Sequence, residues 1–139
     1  MTAQPNIALV TIRALSKSHP LKSCPAGEQI FSAGDPGDCL YAIIEGTVSL
    51  TWRQGTHETL QPGDCFGFDV MVDPEKRRYC SARAISSVTL LPMDREHFLL
   101  AIQEFPMFAL ESLQVLDDRL RRVKAPESLH EEARLGRAR

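Results

Sequence analysis

The chain has 139 residues, enough for one domain with its own core and too few for two ordinary domains. Its formal charge of −2 gives no overall attraction to nucleic acid or to an anionic membrane. No run approaches roughly eighteen apolar residues, and the start lacks a basic segment followed by an apolar block, so neither membrane insertion nor a secretory signal is expected. The cysteines Cys24, Cys39, Cys65 and Cys80 stand singly, without a C-x-x-C pair. They read as reduced, mostly buried thiols of a cytoplasmic protein.

Residues 5 to 18 carry Ile7, Leu9, Val10, Ile12 and Leu15 in a pattern that is neither cleanly helical nor cleanly alternating, and are assigned a short helix. Pro20 and Pro25 close this lead-in. From Gly27 the chain reads GEQIFSAGDPGDCLYAIIEGTVSLTW, then QPGDCFG from Gln61. Gly-Asp, Pro-Gly or lone Gly corners recur between short β-prone runs, which is how a chain makes tight turns between antiparallel strands. Leu40 to Ile44 is a continuous apolar run suited to a strand covered on both faces. Val48, Leu50 and Trp52 alternate with Thr47, Ser49, Thr51 and Arg53, giving one buried and one wet face. Residues 53–56 form a hairpin turn into a strand at His57–Leu60. Residues 79–86 and 87–91 supply two more. The spacing predicts about seven or eight short strands, as in a β roll or sandwich, and a roll ends in a concave mouth able to hold a small ligand.

After Pro92 the period becomes helical. Asp94 is a good N-cap, with Phe98, Leu99 and Ile102 on one face, and Pro106 breaks that helix. A second helix is predicted over 107–123, with Leu113, Leu116, Leu120 and Val123 spaced either as one face packed on the roll or, the favoured reading, as a seam with another helix. Met107, Phe108 and Leu110 are assigned to packing on the roll. Residues 124–139 are rich in Glu and Arg and are expected to be a solvated, flexible tail.

Three blocks in this order, AGEQIFSAGDPGDCLYAIIEGTVSL, LQPGDCFG and MDREHFLLAIQEFPMFALESLQVLDDRL, resemble the cyclic nucleotide-binding domain, the sensor of catabolite activator protein-like regulators and of cyclic-nucleotide-dependent kinases and channels. The resemblance spans about residues 24 to 123 within a domain set at 21–123. It implies a mainly β, double-stranded β-helix fold with C-terminal helices, the second of which pairs two copies. It also places a phosphate-binding cassette in FGFDVMVDPEKRRYCSARA, residues 66–84. The family pattern is Phe-Gly-Glu, a short helix, then Arg-(Ser/Thr)-Ala. Phe66, Gly67 and Arg78 match it, whereas Phe68 stands at the Glu position, Tyr79 at the hydroxyl position and Cys80 at the Ala position.

Asp69, followed by Val70, lies one residue past the ribose-binding carboxylate and reads equally as a helix cap or as a ligand contact. Arg78 reads as an anion contact or as part of a solvated Lys76-Arg77-Arg78 cluster. Phe68 is assigned to corner packing, and Tyr79 reads either as strand packing or as a ring beside the phosphate that would fill the pocket. Arg83 is read as a surface strand residue, with a second anion contact as the alternative.

The ligand expected from the resemblance is a cyclic nucleotide, cAMP or cGMP, or a related anion. Sixteen residues follow Val123, too few for the family's helix-turn-helix, so a free-standing domain without direct DNA binding is expected, signalling as a homodimer or through a protein partner. The alternative is a ligand-free adaptor that has kept the fold. A metal-dependent enzyme of similar shape would need converging histidines, but His19, His57, His97 and His130 are isolated and no catalytic pairing stands out.

Overall fold

The computed structural model describes the backbone of residues 7–138 and the side chains of residues 8–124. The first six residues of the lead-in, and the tail past Lys124 as regards its side chains, lie outside the described residues.

Helix α1 (Ile7–Ser16) leads into eight strands: β1 (Lys22–Cys24), β2 (Gln29–Phe31), β3 (Leu40–Glu45), β4 (Val48–Trp52), β5 (His57–Leu60), β6 (Cys65–Phe66), β7 (Cys80–Ala84) and β8 (Val88–Met93). A one-turn helix, α2 (Asp69–Val72), interrupts the strands between β6 and β7, and α3 (Arg95–Glu104) and α4 (Met107–Ala138) follow them. All strand pairs are antiparallel, in two four-stranded sheets ordered β1-β8-β3-β6 and β2-β7-β4-β5. This is the mainly β roll with C-terminal helices that the turn spacing and the resemblance predict.

The alternation read in the sequence holds. Val48 and Leu50 are buried on β4 while Thr51 is exposed, and Leu40 through Ile43 are all buried on β3. The inner faces of both sheets meet in one cluster that includes Phe31, Tyr41, Leu50, Phe66, Cys80 and Leu90. A second cluster, with Ile12, Leu40, Leu91, Met93 and Phe108, joins α1, α3 and α4 to the back of the first sheet. Asp94 caps α3 by accepting from the His97 backbone N–H at 2.8 Å. Among the described residues, no single helix is long and apolar enough to cross a membrane.

On α4 the buried stripe is Phe108, Glu111, Ser112, Val115 and Arg119. Of the three residues assigned to packing on the roll, only Phe108 is buried, whereas Met107 and Leu110 are exposed. The spacing from Phe108 through Ser112 and Val115 to Arg119 sets the inward face, and Met107 and Leu110 fall off it. Glu111 is held through Thr11 of α1, whose hydroxyl donates to its carboxylate at 2.8 Å. Leu113 and Leu120 remain more than half exposed.

Candidate functional site

The cassette is built by the return from β6 to β7. Phe66 ends β6 in the core, and Gly67 turns the chain at a φ of +85°, a region open chiefly to glycine. Helix α2 begins at Asp69, one residue after Phe68, so the side chain at 69 turns inward. Its carboxylate is only 8 % exposed and meets the guanidinium of Arg78, with Arg78 Nη1 donating to Asp69 Oδ1 at 3.0 Å.

Arg78, read as either an anion contact or a solvated cation, is 2 % exposed. Nη1 also donates to the Gly67 carbonyl at 3.2 Å, and Nη2 donates to the Cys39 carbonyl at 2.6 Å. The guanidinium lies over the Phe31 ring, 4.2 Å from its centroid, an arrangement that favours a desolvated cation. Its Nε is buried with no hydrogen-bond partner among the described residues. Two glycines leave room for this side chain: a Cβ on Gly37 would sit 2.5 Å from Nε, and one on Gly67 would sit 2.6 Å from Nη1.

The other cassette residues divide by direction. Phe68 packs edge-on against Phe98 of α3, with centroids 6.4 Å apart. Val70 and Cys80 are buried. Of the two readings of Tyr79, the structure shows the ring turned outward: Tyr79 is half exposed and its hydroxyl donates to Asp73 at the far end of α2. The reason is strand alternation, because β7 turns Cys80, Ala82 and Ala84 inward and the residue before Cys80 points out. That contact holds the Asp73 carboxyl below its usual range and raises the Tyr79 phenol. Arg83 lies on the surface and ties β7 to β2, donating to the Gly27 carbonyl and to Gln29, each at 2.9 Å.

A second buried arginine was absent from the sequence reading. Arg119 of α4 forks onto Glu58 of β5, with Nε to Oε1 at 2.9 Å and Nη2 to Oε2 at 3.0 Å, and Nη1 donates to the Cys65 carbonyl at 2.8 Å. Trp52 Nε1 donates to Glu58 Oε2 at 2.7 Å. Nearby, Arg122 Nη2 meets Asp64 Oδ2 at 3.2 Å. Burial pushes the Glu58 carboxyl up, but the hydrogen bonds and charge of Arg119, with Trp52 and Arg122, outweigh it and hold the group below its ordinary value.

The two arginines read carbonyls two residues apart on one strand and its exit, Arg119 at Cys65 and Arg78 at Gly67. Between them lies Cys80, whose thiol burial pushes up to about 11; it feels Arg119, Asp69, Glu58 and Arg78 together. Where α4 crosses the β4–β5 hairpin there is a cleft of about 310 Å³, lined by Trp52, Gln54, Thr56, Glu58, Leu116, Arg119, Leu120 and Val123. Leu116, Leu120 and Val123, three of the four residues predicted for a helix seam, therefore face this cleft as well.

A roll with a glycine-led cassette, a buried cassette arginine and a following helix pair defines a class of ligand-sensing domain. The cyclic nucleotide-binding domain profile matches residues 21–105, more than half of the chain, and the chain belongs to that family. The "CRP-like cAMP-activated global transcriptional regulator" of Mycobacterium tuberculosis is 35 % identical over 116 residues, covering 80 % of this chain and 51 % of the relative. The "Cyclic AMP receptor protein" of Thermus thermophilus is 37 % identical over 102 residues, covering 70 % of this chain and 47 % of the relative. The chain thus spans about half the length of these curated relatives. The crystal structure of Thermus thermophilus catabolite activator protein superposes with a TM-score of 0.64 at 31 % identity, covering 90 % of this chain and 61 % of that one.

Proposed function

We propose that this domain binds a cyclic nucleotide, cAMP or cGMP, or a related anionic ligand at Arg78, and that α4 passes occupancy to a second copy or to a protein partner. The observation that carries this reading is Arg78: a buried guanidinium at the mouth of β7, held between Gly37 and Gly67, with one donor unused. The phosphate of such a ligand would take Arg78 and the backbone N–H groups that follow Gly67, as the family resemblance implies. The names of the relatives support a regulatory role without catalysis. The exposed Leu113 and Leu120 support a homodimer along α4, and Leu116 and Val123 border the cleft beside them.

Two observations favour a second reading, a protein–protein adaptor with no ligand. Arg78 already has a carboxylate partner within the chain, and Phe68 stands where the family keeps its ribose-binding Glu.

Thermal unfolding with millimolar cAMP or cGMP, beside Arg78→Lys, separates the two. A ligand present at about 100 times its dissociation constant adds about 2.7 kcal/mol, which raises the Tm by several degrees. The sensor reading expects a rise in wild type that Arg78→Lys loses. Equal melting curves with and without either nucleotide support the adaptor.

A further inference from the structure

The carboxylate of Asp69 collects three donors. Oδ1 accepts from Arg78 Nη1 and from the Val70 backbone N–H, each at 3.0 Å, and Oδ2 accepts from the Tyr79 backbone N–H at 3.3 Å. Among the described residues it is the only carboxylate within ion-pair distance of Arg78. A guanidinium and a backbone N–H beside it are what an incoming phosphate oxygen would need, and here the chain's own anion holds both. The occupation is incomplete, because Asp69 reaches only Nη1 and the buried Nε of Arg78 is left unused. Gly37 keeps the Nε edge free of a side chain, since a Cβ there would lie 2.5 Å away.

We propose that Asp69 is an intramolecular competitor for the anion site at Arg78 and so sets its affinity: a phosphate-class ligand binds by taking Arg78 and the Tyr79 N–H from Asp69, and adds a bond to Nε. This rests on the reading of Arg78 as the anion-binding residue. It assigns Asp69 the opposite role to a ligand-holding carboxylate, since removing its charge strengthens binding. Asp69 is suited to this role because its partners are close in sequence. Arg78 is nine residues away, and the one-turn helix α2 opens the segment between them.

The test is titration calorimetry of the full chain as wild type, Asp69→Asn, Asp69→Ser and Arg78→Lys, with inorganic phosphate, cAMP and cGMP as separate probes. Asp69→Ser keeps an acceptor for the Val70 N–H, so it carries the test if Asp69→Asn loses its native circular dichroism. The expected result is binding at least roughly tenfold tighter in the Asp69 variants than in wild type, on the scale of one charged hydrogen bond, and weaker binding in Arg78→Lys. Equal or weaker binding in the Asp69 variants overturns the competitor role; if wild type still binds through Arg78, the sensor reading survives. Tighter phosphate binding with no response to either nucleotide upholds the competitor and removes the cyclic nucleotide. No binding by any variant defeats both.

Discussion

The two buried arginines make different use of the same chemistry. Arg78 and Asp69 are nine residues apart, joined by one direct bond, and the arginine keeps an unused donor. Arg119 and Glu58 are 61 residues apart and joined by a two-bond fork, with Trp52 and the Cys65 carbonyl completing the set. The first pair is local and incompletely satisfied, which suits a site whose partner can be exchanged. The second ties α4 to the roll across the molecule, which suits a permanent joint. A buried pair whose partners are all satisfied costs much to break from one side, because the charge left behind has nowhere to go.

The largest effect is therefore expected at the joint. Arg119→Ala or Glu58→Ala should destabilise the domain by about 3–5 kcal/mol, a fall in Tm of roughly 10–20 °C by circular dichroism. The double replacement Arg119→Met with Glu58→Leu should cost far less than the two single alanine changes together, since it leaves no charge unpaired. If the losses simply add, the fork is not a coupled unit.

Arg78→Lys comes next. It keeps the charge but cannot hold Asp69, Gly67 and Cys39 from one planar group, and a loss of about 2 kcal/mol is expected in urea unfolding. A loss as large as that of Arg119→Ala would erase the distinction between an exchangeable and a permanent pair.

Acid sharpens the contrast further. The folded-state pKa of Glu58 is depressed, so its contribution is complete above the unfolded value of about 4.3 and is lost as pH falls through the lower folded value. Wild type should lose stability steeply below about pH 4.3, and Glu58→Gln, less stable at neutral pH, should show a shallower acid limb in urea melts collected across that range. Identical slopes would mean that other carboxylates govern acid unfolding. The smallest effect is expected at Tyr79→Phe, whose hydroxyl bond to Asp73 lies at the surface, and no measurable change in Tm should follow.

What the sequence showed and what it hid follow the same division between local and distant. The strands, the Asp94 cap and the break at Pro106 are set by neighbours within a few residues, and they were readable from turn glycines and alternation. Arg78 was legible by its place in the cassette pattern, but whether it was an anion contact or a solvated member of a basic triplet was not, because burial is not written in a Lys-Arg-Arg string. The outward turn of Tyr79 was available in principle, since Cys80, Ala82 and Ala84 share the opposite face of β7. The Glu58–Arg119 joint left two faint marks. Glu58 sits on the inward, period-two face with Leu60, and Arg119 lies on the helical stripe of Val115. Each mark is an ionisable residue at a position expected to be apolar, and nothing local says that the two answer one another.

The most direct measurement is a titration of the nitrogen-15-labelled chain with cAMP, following the arginine side-chain Nε–H resonances. Arg78 Nε has no hydrogen-bond partner among the described residues and should shift as ligand is added, while Arg119 Nε, bound to Glu58, should stay in place. Movement of the Arg119 signal with a stationary Arg78 signal would contradict the account, and so would two signals that never move.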